Sequence, residues 1–395
     1  MPLPGQPGPG QPGPGQPGPG HPVRVLVVED SAVIRRLLAH IITSDPRLVL
    51  AGAVESAEEA LEAIPRLRPD VISMDVRLPG MDGLEATRRI MAQYPTPIVV
   101  IADSVEDASL KISMNALRSG ALAVVEKPPG LLSGDFAAIS RTIATQLAIM
   151  SDVPVIRRRR DMFGETMPPS NAGRWRPAAS AERRPDDDMP LVLAVAASTG
   201  GPPALARLLG ALPASFPLPV LVVQHMGAPF LEGFAGWLDG LVPMRVTLAQ
   251  DQEQLQPGHV LVAPGGRHLA IAPAPRDRDA TAGARLQVRL GNAPAVSGQL
   301  PSATVTFRSV AETVGARALG VLLTGMGEDG AAGLVAMKQA GGYTITEHES
   351  SAVVYGMPAA GVRLGGSCSS VPLDEIAQHI LGLLQDRDPR RPGGA

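Results

Sequence analysis

Cysteine is almost missing from this chain. Cys368 stands alone, which excludes an internal disulfide framework and a cysteine-built zinc cluster. Aromatic residues make up only 3% of a sequence that is 45% hydrophobic, so its cores must be assembled from Ala, Val, Leu and Ile. Charge is sparse as well, at 18% of residues, and the formal net charge of -3 gives no footprint for nucleic-acid binding. Apolar runs such as Val25–Val28 and Leu191–Ala197 fall far short of the ~18 residues a membrane span requires. The N-terminal segment carries neither the basic nor the apolar block of a secretory signal. These absences lead to the expectation of a cytoplasmic protein with no nucleic-acid partner and no membrane insertion.

What remains divides readily, because 395 residues suffice for two domains with full cores. Residues 6–20 repeat Gln-Pro-Gly-Pro-Gly three times, a period of five that excludes a collagen helix, and 1–22 reads as a disordered tail. From 23 to 150, short β-branched runs (Val23–Val28, Leu48–Val54, Val71–Met74, Ile98–Ile101, Ala121–Val125) alternate with helical spacing. That rhythm predicts a doubly wound parallel α/β sheet. Residues 151–189 hold Arg157–Arg160, several prolines and Asp186–Asp188 with little apolar periodicity, and are expected to form a flexible linker. Alternation resumes over 190–385, predicting a second α/β domain with extra β structure near Leu286–Leu290, and 386–395 reads as a disordered tail.

Two constellations carry chemistry. In the first domain Glu29 and Asp30 end one predicted strand, Asp75 ends the third and Lys127 follows the fifth. In an open parallel sheet those ends converge on one crevice. Clustered carboxylates repel unless a hard cation such as Mg²⁺ sits among them, and a lysine across the cluster would neutralise a phosphoryl group on one aspartate. Taken singly, each of these residues reads as well as a helix cap or a loop residue.

In the second domain Ser198 lies between a strand and a helix in Ala197-Ser-Thr-Gly-Gly201, with Pro202 suited to a first helical turn. His225 ends a strand, and Asp329 sits where another strand becomes a helix. A serine hydroxyl needs an imidazole to take its proton and a carboxylate to orient that imidazole. The turn also resembles a phosphate-cradling loop, His259 and His268 compete with His225 as base, and Asp329 could simply cap a helix. The chain order Ser, His, Asp and the lack of Gly-x-Ser-x-Gly exclude the α/β-hydrolase pattern.

Longer motifs narrow these alternatives. Asp75-Val-Arg-Leu-Pro-Gly-Met-Asp-Gly83, with the upstream acids and Lys127-Pro128, resembles the receiver domains of response regulators. That resemblance implies phosphorylation of Asp75 by a chemotaxis histidine kinase, Mg²⁺ held by Glu29, Asp30, Asp75 and the carbonyl of Arg77, and a phosphoryl contact from Lys127. Ala197–Gly201, Val223-Gln-His-Met226, Leu323-Thr-Gly-Met-Gly-Glu-Asp-Gly330 and Ser351-Ala-Val-Val-Tyr-Gly-Met-Pro358 are similar to the catalytic domain of chemotaxis protein-glutamate methylesterases. The implied fold is a (βα)5 receiver followed by a Rossmann-like esterase domain. Ser198 is then the nucleophile, His225 the base and Asp329 its orienter, with the backbone amides of Met326 and Thr199 as oxyanion donors and no cofactor for the esterase step. The implied substrates are methyl-accepting chemoreceptors, with deamidation of glutamines as a companion activity. A non-catalytic receptor-binding scaffold with a degenerate receiver is the alternative.

Several positions depart from the family pattern. Ala102 stands where receivers carry Ser or Thr, Ser104 falls two residues beyond, and Val124 replaces the usual aromatic switch. Glu328 replaces the Asn or Asp before the catalytic aspartate, and Leu300-Pro-Ser-Ala-Thr304 lacks the flanking basic and acidic residues.

Overall fold

The computed structural model describes residues 21–102, 116, 120–128, 136–151, 190–274 and 285–385, which fall into two compact units. The Gln-Pro-Gly repeats, Arg157–Arg160, Ser104 and the C-terminal tail lie outside the described residues. No helix among the described residues is long and apolar enough to cross a membrane.

In the first unit, strands β1 (Val23–Val28), β2 (Leu48–Val54), β3 (Val71–Met74), β4 (Ile98–Ala102) and β5 (Ala123–Glu126) form a parallel sheet ordered β2-β1-β3-β4-β5. Around it lie helices α1 (Ala32–Ser44), α2 (Ala57–Leu67), α3 (Gly83–Gln93) and α4 (Phe136–Met150). The apolar series of α1 buries Leu37, Leu38, Ile41 and Ile42, as its helical spacing requires. Ser56 caps α2 by accepting from the Glu59 amide, and Asp82 caps α3 by accepting from Glu85. The strand order reverses between β1 and β3, so the residues following those two strands flank the switch point.

The second unit has a seven-stranded parallel sheet, β14-β13-β12-β6-β7-β9-β8. Its strands are β6 (Val192–Ala197), β7 (Val220–Gln224), β8 (Arg245–Leu248), β9 (His259–Val262), β12 (Ala318–Leu322), β13 (Tyr343–Glu347) and β14 (Ser369–Val371). An antiparallel pair, β10 (His268–Pro273) with β11 (Leu286–Gly291), supplies the extra β structure expected near Leu286. The helices are α5 (Gly201–Gly210), α6 (Ala228–Asp239), α7 (Ala303–Val314), α8 (Ala331–Gln339), α9 (Met357–Arg363) and α10 (Leu373–Gln385). Here the switch point lies between β6 and β12.

The two fully parallel sheets bear out the expected α/β class. Some element limits differ from the sequence reading, for local reasons. The helix expected from Glu328 begins at Ala331 because Gly330 takes φ +88°, which a right-handed helix cannot continue through. The helix expected from Glu232 begins at Ala228, a turn earlier, with a proline in its first turn. The core is aliphatic, as the low aromatic content demands, but Phe216, Phe230, Phe234 and Phe307 are among its largest fully buried side chains.

Phe307 has a particular position. A Cβ on Gly333 of α8 would lie 2.7 Å from the Phe307 Cβ and 2.9 Å from the Thr304 carbonyl, so α7 and α8 meet almost backbone to backbone. Replacing Phe307 with Ala opens a cavity at that junction and should destabilise this unit by about 3–5 kcal/mol. Chemical denaturation followed by circular dichroism measures it.

Candidate active site

Backbone ladders run beyond the strand ends and set the positions of the candidate residues. The Leu323 amide donates to Ala196, the Ser198 amide to Thr324 at 3.0 Å, and the His225 amide to Ala197 at 3.0 Å. Ser198, His225 and the Thr324–Asp329 loop therefore follow the C-terminal ends of three adjacent strands, β7-β6-β12. Gln224 locks the turn after Ser198: its buried Nε2 donates to the carbonyls of Ser198 (2.8 Å) and His225 (2.9 Å).

Glycine is required where the loops close on one another. A Cβ on Gly325 would lie 2.7 Å from the Ser198 Cβ and 2.3 Å from the Met357 Sδ. One on Gly200, which holds φ +75°, would sit 2.6 Å from the Val353 Cβ, and one on Gly356 would sit 2.7 Å from the Gly325 carbonyl. Three of the four motifs singled out in the sequence thus pack as one unit. Glu347 stands behind them, fully buried, accepting from the Thr324 amide at 2.8 Å and the Ser351 hydroxyl at 3.0 Å. Burial pushes its carboxyl above the usual range, against the pull of those two donors.

His225 Nε2 is 2.8 Å from Asp329 Oδ2, with the two side chains only 5% and 3% exposed. A carboxylate can only accept, so Nε2 carries a proton, and whenever the imidazole is neutral its lone pair is on Nδ1. His225 Nδ1 is buried and accepts no hydrogen bond among the described residues. The lone pair available to a serine is therefore on Nδ1, the reverse of the serine-protease arrangement. The Ser198–His225 hydrogen bond is not formed among the described contacts, an openness common in catalytic sites before substrate binds.

Asp329 is held more firmly. Oδ1 accepts from the Ser302 hydroxyl (2.7 Å) and the Thr304 amide (3.1 Å), and Oδ2 from the Ala303 amide (2.7 Å) besides His225. Burial alone would raise its pKa, but the hydrogen bonds and charge interaction with His225 and the bonds from Thr304 and Ser302 hold it far below the usual carboxylate range. The capping alternative for Asp329 also holds in part. The residue caps the N-terminus of α7, a helix distant in sequence, while Gly330 occupies the N-cap of the helix that follows it.

The competing histidines are placed elsewhere. His259 opens β9, at the opposite end of the strand from this edge, with Nε2 2.9 Å from the Thr247 hydroxyl. His268 lies buried behind the site, and its Nδ1 accepts from the Ser302 amide. Met326 offers its amide to no acceptor among the described contacts, and its side chain is exposed. Thr199 is buried, with its carbonyl accepting from the Thr324 hydroxyl at 2.9 Å. Glu328 is exposed and pairs with Arg363. Sequence reading missed Ser302, Thr304 and Gln224. The first two sit at a helix start whose Pro-Ser-Ala-Thr pattern is a legible N-terminal signal.

In the first unit Glu29, Asp30 and Asp75 bring one carboxylate oxygen each within 4.8 Å of one another. Lys127 Nζ is 2.9 Å from Asp75 Oδ2 and 3.1 Å from Glu29 Oε2. Burial, then the Asp75 charge, pushes Glu29 to about 7 despite Lys127, and burial raises Asp75 as well. Among the described residues, buried Glu29 Oε2 accepts no well-directed hydrogen bond, so this all-oxygen set fits a hard divalent cation. Arg35, not singled out in the sequence, ties the loop down by donating to the carbonyls of Glu29 (2.6 Å) and Asp30 (3.0 Å). Ala102 and Val124 both lie in the sheet, and the Ala102 carbonyl accepts from the Lys127 amide at 3.0 Å.

Comparison with known proteins adds a second line of observation. The family model described as CheB methylesterase matches residues 193–380, and that of the response regulator receiver domain matches 25–132. A protein-glutamate methylesterase/protein-glutamine glutaminase of Paramagnetospirillum magneticum is 46% identical over 91% of this chain and 97% of its own length. One from Myxococcus xanthus is 45% identical over 92% of this chain and 98% of its own. Among solved structures, the CheB methylesterase catalytic domain of Thermotoga maritima is 31% identical, covering 49% of this chain and 98% of that one, with a TM-score of 0.46.

Gly325→Ala tests the close packing. The added methyl must displace Ser198 or Met357, and a shift of about 1 Å at a reacting group can cost on the order of 10²-fold in rate. Turnover should fall by that order while the far-ultraviolet circular dichroism stays unchanged.

Proposed function

The chain belongs to the CheB-type protein-glutamate methylesterase/protein-glutamine glutaminases, with a response regulator receiver ahead of the esterase domain, and we propose that it hydrolyses glutamate methyl esters on chemoreceptors with a Ser198–His225–Asp329 triad. The observation that carries the reading is the buried His225–Asp329 pair beside the Ser198 turn. The receiver occupies 23–150 and the esterase 190–385.

His225 Nδ1 takes the proton from the Ser198 hydroxyl as Oγ bonds to the ester carbonyl carbon. Asp329 stabilises the imidazolium and holds its orientation. The amide of Met326, with that of Thr199, donates to the oxyanion that develops. As the tetrahedral centre collapses, the proton passes from His225 to the methoxy oxygen and methanol leaves. Water then repeats the sequence against the acyl-enzyme, releasing a free glutamate carboxylate and restoring Ser198. With a glutamine the departing group is ammonia and the remaining steps are unchanged. No step calls for a cofactor.

In the receiver, Asp75 is the carboxylate that accepts a phosphoryl group from the kinase, and Lys127 pairs with the phosphoryl oxygens. Glu29, Asp30, Asp75 and the Arg77 carbonyl would hold Mg²⁺, which offsets negative charge during transfer.

Ser198→Ala should lower methanol release from methylated receptor by a factor on the order of 10⁵–10⁶, as for nucleophile loss in serine proteases. Retention of a tenth of the activity refutes the triad. A phosphodonor should label Asp75 yet activate the esterase only weakly, because Ala102 lacks a hydroxyl to follow the phosphoryl oxygen and Val124 lacks a ring to swing inward. A lost charge-assisted bond removes roughly 1.5–3 kcal/mol of switching bias. The Ala102→Thr, Val124→Tyr double variant should therefore show the larger activation ratio. Strong activation of the unaltered chain, unimproved by the double variant, assigns signalling to other residues.

A further inference from the structure

Among the described residues, the side chain outside the triad that meets hydrogen-bond geometry with Asp329 is that of Ser302. Of the four donors on its carboxylate, two are backbone amides of α7, one is His225, and the fourth is the Ser302 hydroxyl at 2.7 Å. Ser302 is fully buried, so that bond does not compete with bulk water. Its own position is fixed from behind. The Ser302 amide donates to His268 Nδ1 at 3.2 Å, which leaves the His268 proton on Nε2, 3.0 Å from the Pro294 carbonyl. A continuous chain therefore runs from the exposed Pro294 through the buried His268, Ser302 and Asp329 to His225.

The division of oxygens gives this chain its consequence. Oδ2 serves His225 and the Ala303 amide, while Oδ1 is held by Ser302 and Thr304. The Thr304 contact is the longer, at 3.1 Å, so Ser302 is the stronger restraint on rotation about the carboxylate axis. Rotation there would carry Oδ2 out of the line of the His225 N–H and loosen the imidazole on which proton transfer depends.

We propose that Ser302 is a positioning residue for ester hydrolysis: its hydroxyl fixes the Asp329 carboxylate in the orientation that aims His225 Nδ1 at Ser198. The inference rests on the triad reading above and goes beyond it, since Ser302 touches neither substrate nor nucleophile.

The test uses the full chain and methylated receptor. Ser302→Ala should lower kcat by about 10- to 100-fold, the scale of a hydrogen bond to a charged group, with KM within about twofold of the unaltered value. Ser302→Thr, which keeps the hydroxyl, should restore most of kcat. In an Asp329→Ala background, Ser302→Ala should add no further loss, because the two act through one group. In the proton spectrum, the downfield resonance of the His225 Nε2 proton should shift or broaden in Ser302→Ala. If that variant fails to fold, Ser302→Gly carries the same measurements, glycine being well tolerated at a helix N-cap. Unchanged kcat, a rise confined to KM, failure of Thr to restore turnover, or full additivity with Asp329→Ala each overturns the proposal. A fully active Ser198→Ala would instead refute the triad itself, so the two failures are distinguishable.

Discussion

The Asp329 carboxylate is bound at both oxygens by four donors among the described residues, and much of the second unit is arranged to make that possible. Burying an ionised carboxylate is costly unless its hydrogen-bonding capacity is filled. The two amides it receives are among those a helix start leaves unsatisfied, so one contact answers the needs of both the anion and α7. The positive end of the helix adds to the effect. Gly330 follows at φ +88°, and its amide donates to the Thr304 hydroxyl at 2.8 Å. The loop carrying the acid and the helix receiving it are thereby fastened on two sides. Phe307 and Gly333 press α7 onto α8 just beyond, so the electrostatic contact rests on close helix–helix packing.

A second constraint is the demand for bare backbone around Ser198. Gly200, Gly325 and Gly356 each stand where a Cβ would collide with a neighbouring loop at 2.7 Å or less. Loops this close bring amides into the space beside Ser198, the proposed nucleophile, which is what an oxyanion needs in a preorganised site. Glu347 closes the arrangement from beneath by accepting the Thr324 amide. The carboxylate there is a structural acceptor, not a reacting group, and its raised pKa reflects the burial it tolerates in that role.

These arrangements were unequally legible in the sequence. The parallel sheets could be read because buried stretches such as Val25–Val28 and Val220–Val223 are continuous apolar runs followed by chemistry-bearing residues. Placing His225 and Asp329 after strands left His259 and His268 as rivals and a capping role for Asp329 open, and only the resemblance of the longer motifs paired the two. Ser302 was not legible as a partner of Asp329, since it lies 27 residues away and the contact forms only where the N-terminus of α7 meets the loop after β12. Gln224 looked like one more strand residue until its amide proved to hold the turns after both β6 and β7. His268 and His225 were indistinguishable by residue type. Only the topology separates a histidine that ends a central strand from one that begins an antiparallel ribbon.

The two units place aspartates at equivalent points, beyond the C-terminal ends of strands beside a switch point, and give them opposite electrostatics. Asp329 has its acceptor capacity filled and is held far below the usual carboxylate range. Asp75 sits near Glu29 and Asp30, with the Arg77 amide and Lys127 as its described donors, and burial raises it. A fully satisfied carboxylate is inert and rigid, the property required of a group that must hold an imidazole in place. A carboxylate among like charges in a partly dry crevice is high in free energy, and a divalent cation or a covalent phosphoryl group relieves it. The proposed roles of the two aspartates thus follow from how many donors each fold supplies to the same side chain. One carboxylate is stabilised until it cannot react, and the other is left with reactivity to spend.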